Sequence, residues 1–448
     1  MSSRMTDAEA QGRIEAIRAA FPKEGLFNEK TWHWSPEPFP LSRSIVNTLF
    51  RLGPVLRRFQ ATANTFYHRS VKGTLPPYIA SYLDAGKPDW LIEMGRDTAI
   101  RDDLPQVIRP DLILTEDGLA MTEIDSVPGG IGVTAWLNEV YSQWDTNNRL
   151  IGGKTGMLAG FRRILIKGGD LLISDESSDY RPEMAWLARR LNEVFFHEGT
   201  IWRALKADDY PAAHYRAVYR FFELFDLDNI VGARHLGQQA IDGIARVTAP
   251  YKAYLEEKLW LALFHAQPLS KHWIGELRAS NEQLLRSIIP ESWVIDPTPL
   301  PHHAVLPGLN INDWSELSEF TQSERQLVLK ISGYSELAWG SRGVTIGQDL
   351  PQDEWKAALD KAIDSYDHHP YILQRFHKGK RVRHPYWDED AGQMKVMEGR
   401  VRLCPYYLPD DEGKAALHGV LATIVPAEKK IIHGMRDAIL VPCVLSDD

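Results

Sequence analysis

Cysteine is almost missing from the 448 residues: only Cys404 and Cys443 occur. Neither a disulfide framework nor a cysteine-built zinc site is indicated. No apolar run approaches the length of a membrane span, and the opening MSSRMTDAEAQGRIEAIRAAF is polar and then amphipathic, without an apolar signal core. A cytoplasmic protein with no membrane partner is the expectation. Excess positive charge is lacking too. The formal net charge of −9 gives no global attraction to nucleic acid and points to a small partner. The aromatic residues follow no repeat period and read as core and cleft walls.

The composition, 44% hydrophobic and 25% charged, is that of a globular protein, and the chain is too long for one core. Residues 1–100 read as a helical layer. In SRSIVNTLFRLGPVLRRFQATANTFYHRS, Ile45, Leu49 and Leu52 fall at helical spacing until Pro54 is expected to interrupt. An apolar face within 40–70 serves either core packing or a homodimer interface. Residues 101–164 carry an acidic hairpin. Residues 165–250 alternate short apolar strands with helices, the texture of a small α/β domain. Residues 251–448 open with a predicted helix in PYKAYLEEKLWLALFH, and continue as strands with a polar flap, HKGKRVRHPYWDEDAGQ.

The stretch RPDLILTEDGLAMTEIDSVPGG, residues 109–130, predicts two strands joined by Glu116-Asp117-Gly118. Pairing Thr115 with Leu119 places Ile113 opposite Met121 and Asp111 opposite Glu123, with Asp125 on the same face. Three converging carboxylates call for a divalent cation or a strongly cationic partner. Oxygen-only ligands favour magnesium or manganese. The alternative is a solvated hairpin whose acids touch nothing.

In LVLKIS, alternation sets Val328, Lys330 and Ser332 on one face of a strand and Leu327, Leu329 and Ile331 on the other. A lysine there is met by an anion such as phosphate, or else it marks an edge strand or an internal salt bridge. WGSRG follows, in which Gly340, Ser341 and Gly343 allow backbone amides to approach an anion and Arg342 adds a donor fork. The spacing is neither GxxxxGK[ST] nor GxGxxG. In YILQRF, Gln374 and the backbone near Phe376 suit an adenine edge, although the segment also fits a plain buried strand. Lys258 reads as a surface charge or a nucleotide contact. Arg402 reads as a phosphate contact or a structural ion pair. His418 and the HGMRDA stretch read as structural polar groups, and Cys404 as a buried one.

Together these motifs resemble a circularly permuted ATP-grasp protein related to the synthetase domain of glutathionylspermidine synthase, because the acidic TEIDSVPGG hairpin precedes the lysine strands. The resemblance implies a mixed α/β (α+β) ATP-grasp fold with a small pre-ATP-grasp-like domain and an N-terminal helical layer. It implies ATP and Mg2+, or Mn2+, as cofactors: Asp111, Glu123 and Asp125 for metal, with aspartate standing where asparagine is usual in the last position. Lys258, Lys330, Gly340, Ser341, Gly343, Gln374 and Phe376 would hold nucleotide, and Arg109, Arg342 and Arg402 the transferred phosphate. The implied activity joins a small-molecule or peptide carboxylate to an amine. A phosphotransferase and a non-catalytic nucleotide-binding protein are the alternatives.

Overall fold

In a computed structural model, residues 5–27, 31–210, 217–301, 304–338, 342–432 and 437–446 are described. Among them, fifteen strands form three sheets. Numbered in chain order, they are β1 Phe39–Leu41, β2 Arg109–Thr115, β3 Gly118–Asp125, β4 Gly169–Ile173, β5 Trp202–Lys206, β6 Ala217–Phe221 and β7 Arg246–Thr248. The others are β8 Ser292–Val294, β9 Leu327–Ile331, β10 Val344–Ile346, β11 Tyr371–Arg375, β12 Val382–Asp388, β13 Gln393–Pro409, β14 Ala415–Pro426 and β15 Ile439–Leu445.

The largest sheet runs β1-β15-β14-β13-β2-β3, and β12 shares with β2 the edge of β13 turned away from β14. The polar flap is therefore the β12–β13 hairpin. A second sheet, β10-β9-β11-β8, is antiparallel. Its Leu327, Leu329, Ile331 and Leu373 bury one face with Trp355 and Leu359 of the helix Gln352–Asp364. A third, β5-β4-β6-β7, is parallel and packed by helices such as Arg181–Val194, as strands needing crossover connections require. No helix of the described residues is long and apolar enough to cross a membrane.

Two helical expectations need correction. The helix at Pro54 does not stop: it runs Arg43–Val71 with the proline inside. Proline withholds one donor from the carbonyl of Phe50, and Phe50 is largely exposed, so water can take that bond. The helix is fixed instead by its apolar face, with Leu49, Leu52, Leu56, Phe59 and Phe66 in the main core. Gly53 brings it close to the sheet: a Cβ there would lie 2.5 Å from the Tyr407 ring and 2.6 Å from the Ala415 carbonyl oxygen. The helix expected in PYKAYLEEKLWLALFH begins only at Leu259 and ends at His265, leaving Glu256, Glu257 and Lys258 at its approach. Those three side chains are drawn outward to partners in different parts of the fold.

The acidic hairpin also differs from its expected register. Thr115 pairs with Gly118, so the loop is Glu116-Asp117 alone, the short connection that antiparallel strands favour. A bulge then leaves Thr122 as an extra residue on β3, and beyond it Asp111 does face Glu123 and Arg109 faces Asp125. The bulge offsets the tighter turn, and the acids meet as the alternation required.

Candidate functional site

The three sheets converge on a cleft of about 430 Å³, the volume of a small-molecule site. The β2–β3 hairpin forms its floor through Arg109, Asp111, Glu123 and Asp125, joined by Arg402 from β13. The polar face of the second sheet forms one wall with Val328, Lys330, Val344, Ile346 and Gln374, and Phe376 lies just beyond β11. Loops at the carboxyl ends of the parallel strands supply the opposite wall, including Tyr180 and Glu223. Lys430, Ile431 and Ile432 form a lip, where Lys430 is ion-paired with Asp349.

Of the three facing acids, Asp111 is buried and Glu123 and Asp125 are half-buried, and each lies near a cation. Arg109 is buried among them, its NH2 nitrogen 3.1 Å from Asp125 Oδ2 and its Nε 3.1 Å from Asp111 Oδ1. Arg402 donates to Asp111 Oδ2 at 2.8 Å, and the Cys404 thiol lies 3.4 Å from Asp111 Oδ1. The strongly cationic partner that the acids call for is present in the chain itself. Burial opposes the charge of Arg109, yet Asp111 and Asp125 hold it protonated well above the ordinary range. Burial pushes the Asp125 carboxyl up against the pull of Arg109, with Glu123 adding repulsion. Burial, with Asp111 beside it, also raises the Cys404 thiol to about 12, so it is no nucleophile.

The Pro-Gly-Gly that ends the hairpin has its reason in the next helix, Ile131–Tyr141. Gly130 takes a left-handed φ of 87° at its N-cap, and the buried Glu183 carboxylate accepts from Gly130 N at 2.7 Å and Val133 N at 3.0 Å. The Gly129 carbonyl faces back toward the cleft and accepts from Tyr406 Oη at 2.8 Å and Arg109 at 3.4 Å.

Lys330 is buried in β9 and donates to the Thr122 carbonyl at 2.8 Å and to Gln374 Oε1 at 2.7 Å. The bulge residue of one sheet thus meets the lysine of another. Burial lowers the Lys330 amine to about 8. Gln374 holds that lysine, and its amide nitrogen donates to Ser292 Oγ at 3.1 Å, while the Phe376 N–H is used by the Gln326 carbonyl. Gln374 is therefore a lysine-orienting group in this arrangement. Lys258 Nζ lies 3.6 Å from Glu123 Oε2 and 3.5 Å from the Ala338 carbonyl oxygen.

Arg342 stands at an exposed position, 3.4 Å from Glu176 of the parallel-sheet domain, and neither it nor Gly343 lines the cleft. The Gly343 carbonyl accepts from Ile331 N at 3.2 Å. Gly340 and Ser341 lie outside the described residues, as does most of HGMRDA. His418 Nδ1 lies 2.9 Å from the Gly156 carbonyl, a structural contact.

Four cleft or cleft-supporting residues escaped the sequence reading. Glu183 is set by Gly130 and Val133, about fifty residues away, and Tyr180 packs on the distant rings of Phe27 and Phe221, while Glu223 and Glu256 follow apolar segments with no motif around them. Glu223 is pushed well up by burial, Glu256 and Asp125; Glu256 is raised by burial even though Arg220 pairs with it.

The hairpin's donor chemistry, hard carboxylate oxygen, fits a hard divalent ion. Among the described residues, however, no group of three or more histidine, cysteine, aspartate and glutamate side chains is gathered to hold one. The arginines are the cause: Arg109 and Arg402 occupy Asp111, and Asp125 is shared between Arg109 and the Val127 amide at 2.9 Å. Glu123 is the least engaged.

No family profile matches the chain, and neither does any curated protein. Among solved structures, a glutathione synthetase-like effector from Globodera pallida, in its apo form, matches with a TM-score of 0.59 at 12% identity. That match covers 99% of this chain and 98% of the other. A candidate gamma-glutamylcysteine synthetase from Methylobacillus flagellatus KT reaches a TM-score of only 0.39 at 11% identity over 83% and 84% of the two chains. The first likeness shows the fold alone: a mixed α/β architecture shared with that effector over nearly the whole of both chains.

Proposed function

We propose that the protein is an ATP-dependent carboxylate–amine ligase acting on a small molecule or peptide. The observation that carries this reading is the meeting of Lys258, Lys330, Arg109 and Arg402 with Asp111, Glu123 and Asp125 around one cleft. Cations for a polyphosphate and carboxylates for its counterion are the parts phosphoryl transfer uses. The acidic hairpin precedes both lysines in the chain, which supports the permuted order and the kinship with the glutathionylspermidine synthase synthetase domain.

In this reading the adenine lies along Val328, Val344, Ile346 and Phe376. Lys258 and Lys330 neutralise the phosphates, with Gln374 and the Thr122 carbonyl aiming Lys330. The substrate carboxylate oxygen attacks the γ-phosphorus, the bond to ADP breaks, and an acylphosphate results. The amine nitrogen then attacks the acyl carbon, phosphate departs, and the nitrogen gives up a proton. Arg109 and Arg402 stabilise charge on the transferred group; Arg342, outside the cleft, would join them only by leaving Glu176 and turning inward.

Asp111, Glu123 and Asp125 would hold Mg2+, or Mn2+, which when bound shields phosphate charge. Asp111 and Asp125 are engaged by Arg109 and Arg402 here, so they would be open to the ion only where those guanidinium groups turned to phosphate instead. Asp125 suits this exchange because it gives Arg109 a second carboxylate.

Phosphate release from ATP, measured over a panel of carboxylic acids with and without amines, tests the proposal. Release that depends on both an acid and an amine, and is lost in Lys330→Met, is the expected result. Amine-independent formation of a stable phosphorylated acid would make the protein a phosphotransferase. Nucleotide binding without turnover on any pair would make it a binding protein.

A further inference from the structure

Three consecutive residues at the approach to the helix Leu259–His265 each hold a different part of the fold. Glu256 is paired with Arg220 of β6 in the parallel-sheet domain. Lys258 reaches toward Glu123 of the hairpin and the Ala338 carbonyl of the loop after β9. Between them, Glu257 turns away from the cleft and is fully buried. One of its oxygens pairs with Lys87, which sits between the N-terminal helices Tyr78–Asp84 and Asp89–Arg96. The other accepts from Ser332 Oγ at 2.7 Å and Gly333 N at 2.8 Å.

Ser332 and Gly333 are the residues through which the chain leaves β9, two and three positions after Lys330. Glu257 directly precedes Lys258. One carboxylate therefore ties the backbones of both cleft lysines together and fixes them to the N-terminal helical layer. Its two charged side chains, Lys87 and Glu257, are 2% and 0% exposed, and neither lines the cleft. A buried ion pair is weak evidence of stabilisation, because desolvation offsets most of its attraction; geometric specificity is its better-supported use.

We propose that Glu257, held by Lys87, is a positioning residue that sets the spacing of Lys258 and Lys330, and that this is a role of the helical layer in nucleotide binding. The inference rests on the nucleotide reading of the cleft. Both lysines are assigned to phosphate and neither to the base, so the device acts on phosphate recognition alone.

The experiment compares the affinity of wild type and Lys87→Met/Glu257→Met for ADP and for adenosine, methionine leaving Ser332 Oγ and Gly333 N without the acceptor that a glutamine would keep. Removing both charges avoids leaving one buried and unpaired, so the double variant is expected to fold. Its ADP affinity should fall about tenfold while adenosine affinity stays unchanged, the scale of effect seen when a supporting contact is lost. Gly53→Ala, which destabilises the helix–sheet contact away from the cleft, should leave both affinities as in wild type. Equal loss for ADP and adenosine, or no loss for either, overturns the inference while the nucleotide reading stands. If wild type binds neither ligand, both fall. Should the double variant not fold, Ser332→Ala keeps the ion pair and removes one donor to Glu257; a loss confined to ADP supports the inference, and unchanged ADP affinity overturns it.

Discussion

Replacing Glu123 by glutamine separates ligand binding from folding within the acidic hairpin. The Glu123 side chain is 33% exposed, and its neighbouring cations, Lys258 at 3.6 Å and Arg109 at 3.9 Å, are too far for hydrogen bonds. Losing such a pair changes stability by less than about 1 kcal/mol. Asp111 is different: it is 3% exposed and faces two buried guanidinium groups. Asp111→Asn leaves Arg402 without its carboxylate and Arg109 with Asp125 as its close partner, and breaking a buried pair from one side costs about 3–5 kcal/mol. In denaturant titrations Asp111→Asn should therefore unfold well before Glu123→Gln, by a margin of at least about 2 kcal/mol. In calorimetry, Glu123→Gln should nevertheless weaken magnesium-dependent nucleotide binding by about tenfold or more, ~1.4 kcal/mol. Equal destabilisation by the two substitutions, or wild-type nucleotide binding by Glu123→Gln, would refute this division of labour.

Nucleotide affinity should fall as pH rises through about 8, where the buried Lys330 amine gives up its proton. The sign follows from its lowered value: the cation is present below that pH and lost above it, and phosphate binding, by favouring the charged form, takes up a proton there. Titrations in buffers of different ionisation heat measure that uptake, and Lys330→Met should abolish it. Gly53→Ala forces a methyl group to 2.5 Å from the Tyr407 ring and should cost about 1–3 kcal/mol, read as a lower melting temperature; an unchanged one would mean that helix and sheet can part freely. Glu183→Ala strips the acceptor from Gly130 N and Val133 N and should cost about 1–3 kcal/mol, with faster amide exchange at Val133 as its local signature.

How far the sequence discloses the site depends on the range of each interaction. Alternation along LVLKIS is local, so Lys330 and its apolar back face could be read directly, and the core of the second sheet follows that division. The same period placed Asp111, Glu123 and Asp125 on one face. It could not show that the turn tightens by one residue and that Thr122 bulges out to compensate, because the bulge carbonyl is fixed by Lys330, 208 positions away. Nor could it show that Arg109 and Arg402 already satisfy the acids, since Arg402 arrives from β13, 291 positions beyond Asp111. Pro54 misled because propensity is weak against a long buried face. Glu257 drew no attention because EEKLW looks like a helix, and its partners Lys87 and Ser332 lie on separate elements.

The measurement that tests the central claim most directly is calorimetric titration of a non-hydrolysable ATP analogue into the wild-type protein with and without magnesium. Binding strengthened by magnesium, at one site per chain, is the predicted result. A folded protein that binds no analogue in the presence of magnesium would contradict the ligase account and leave the hairpin's carboxylates as counterions for Arg109 and Arg402.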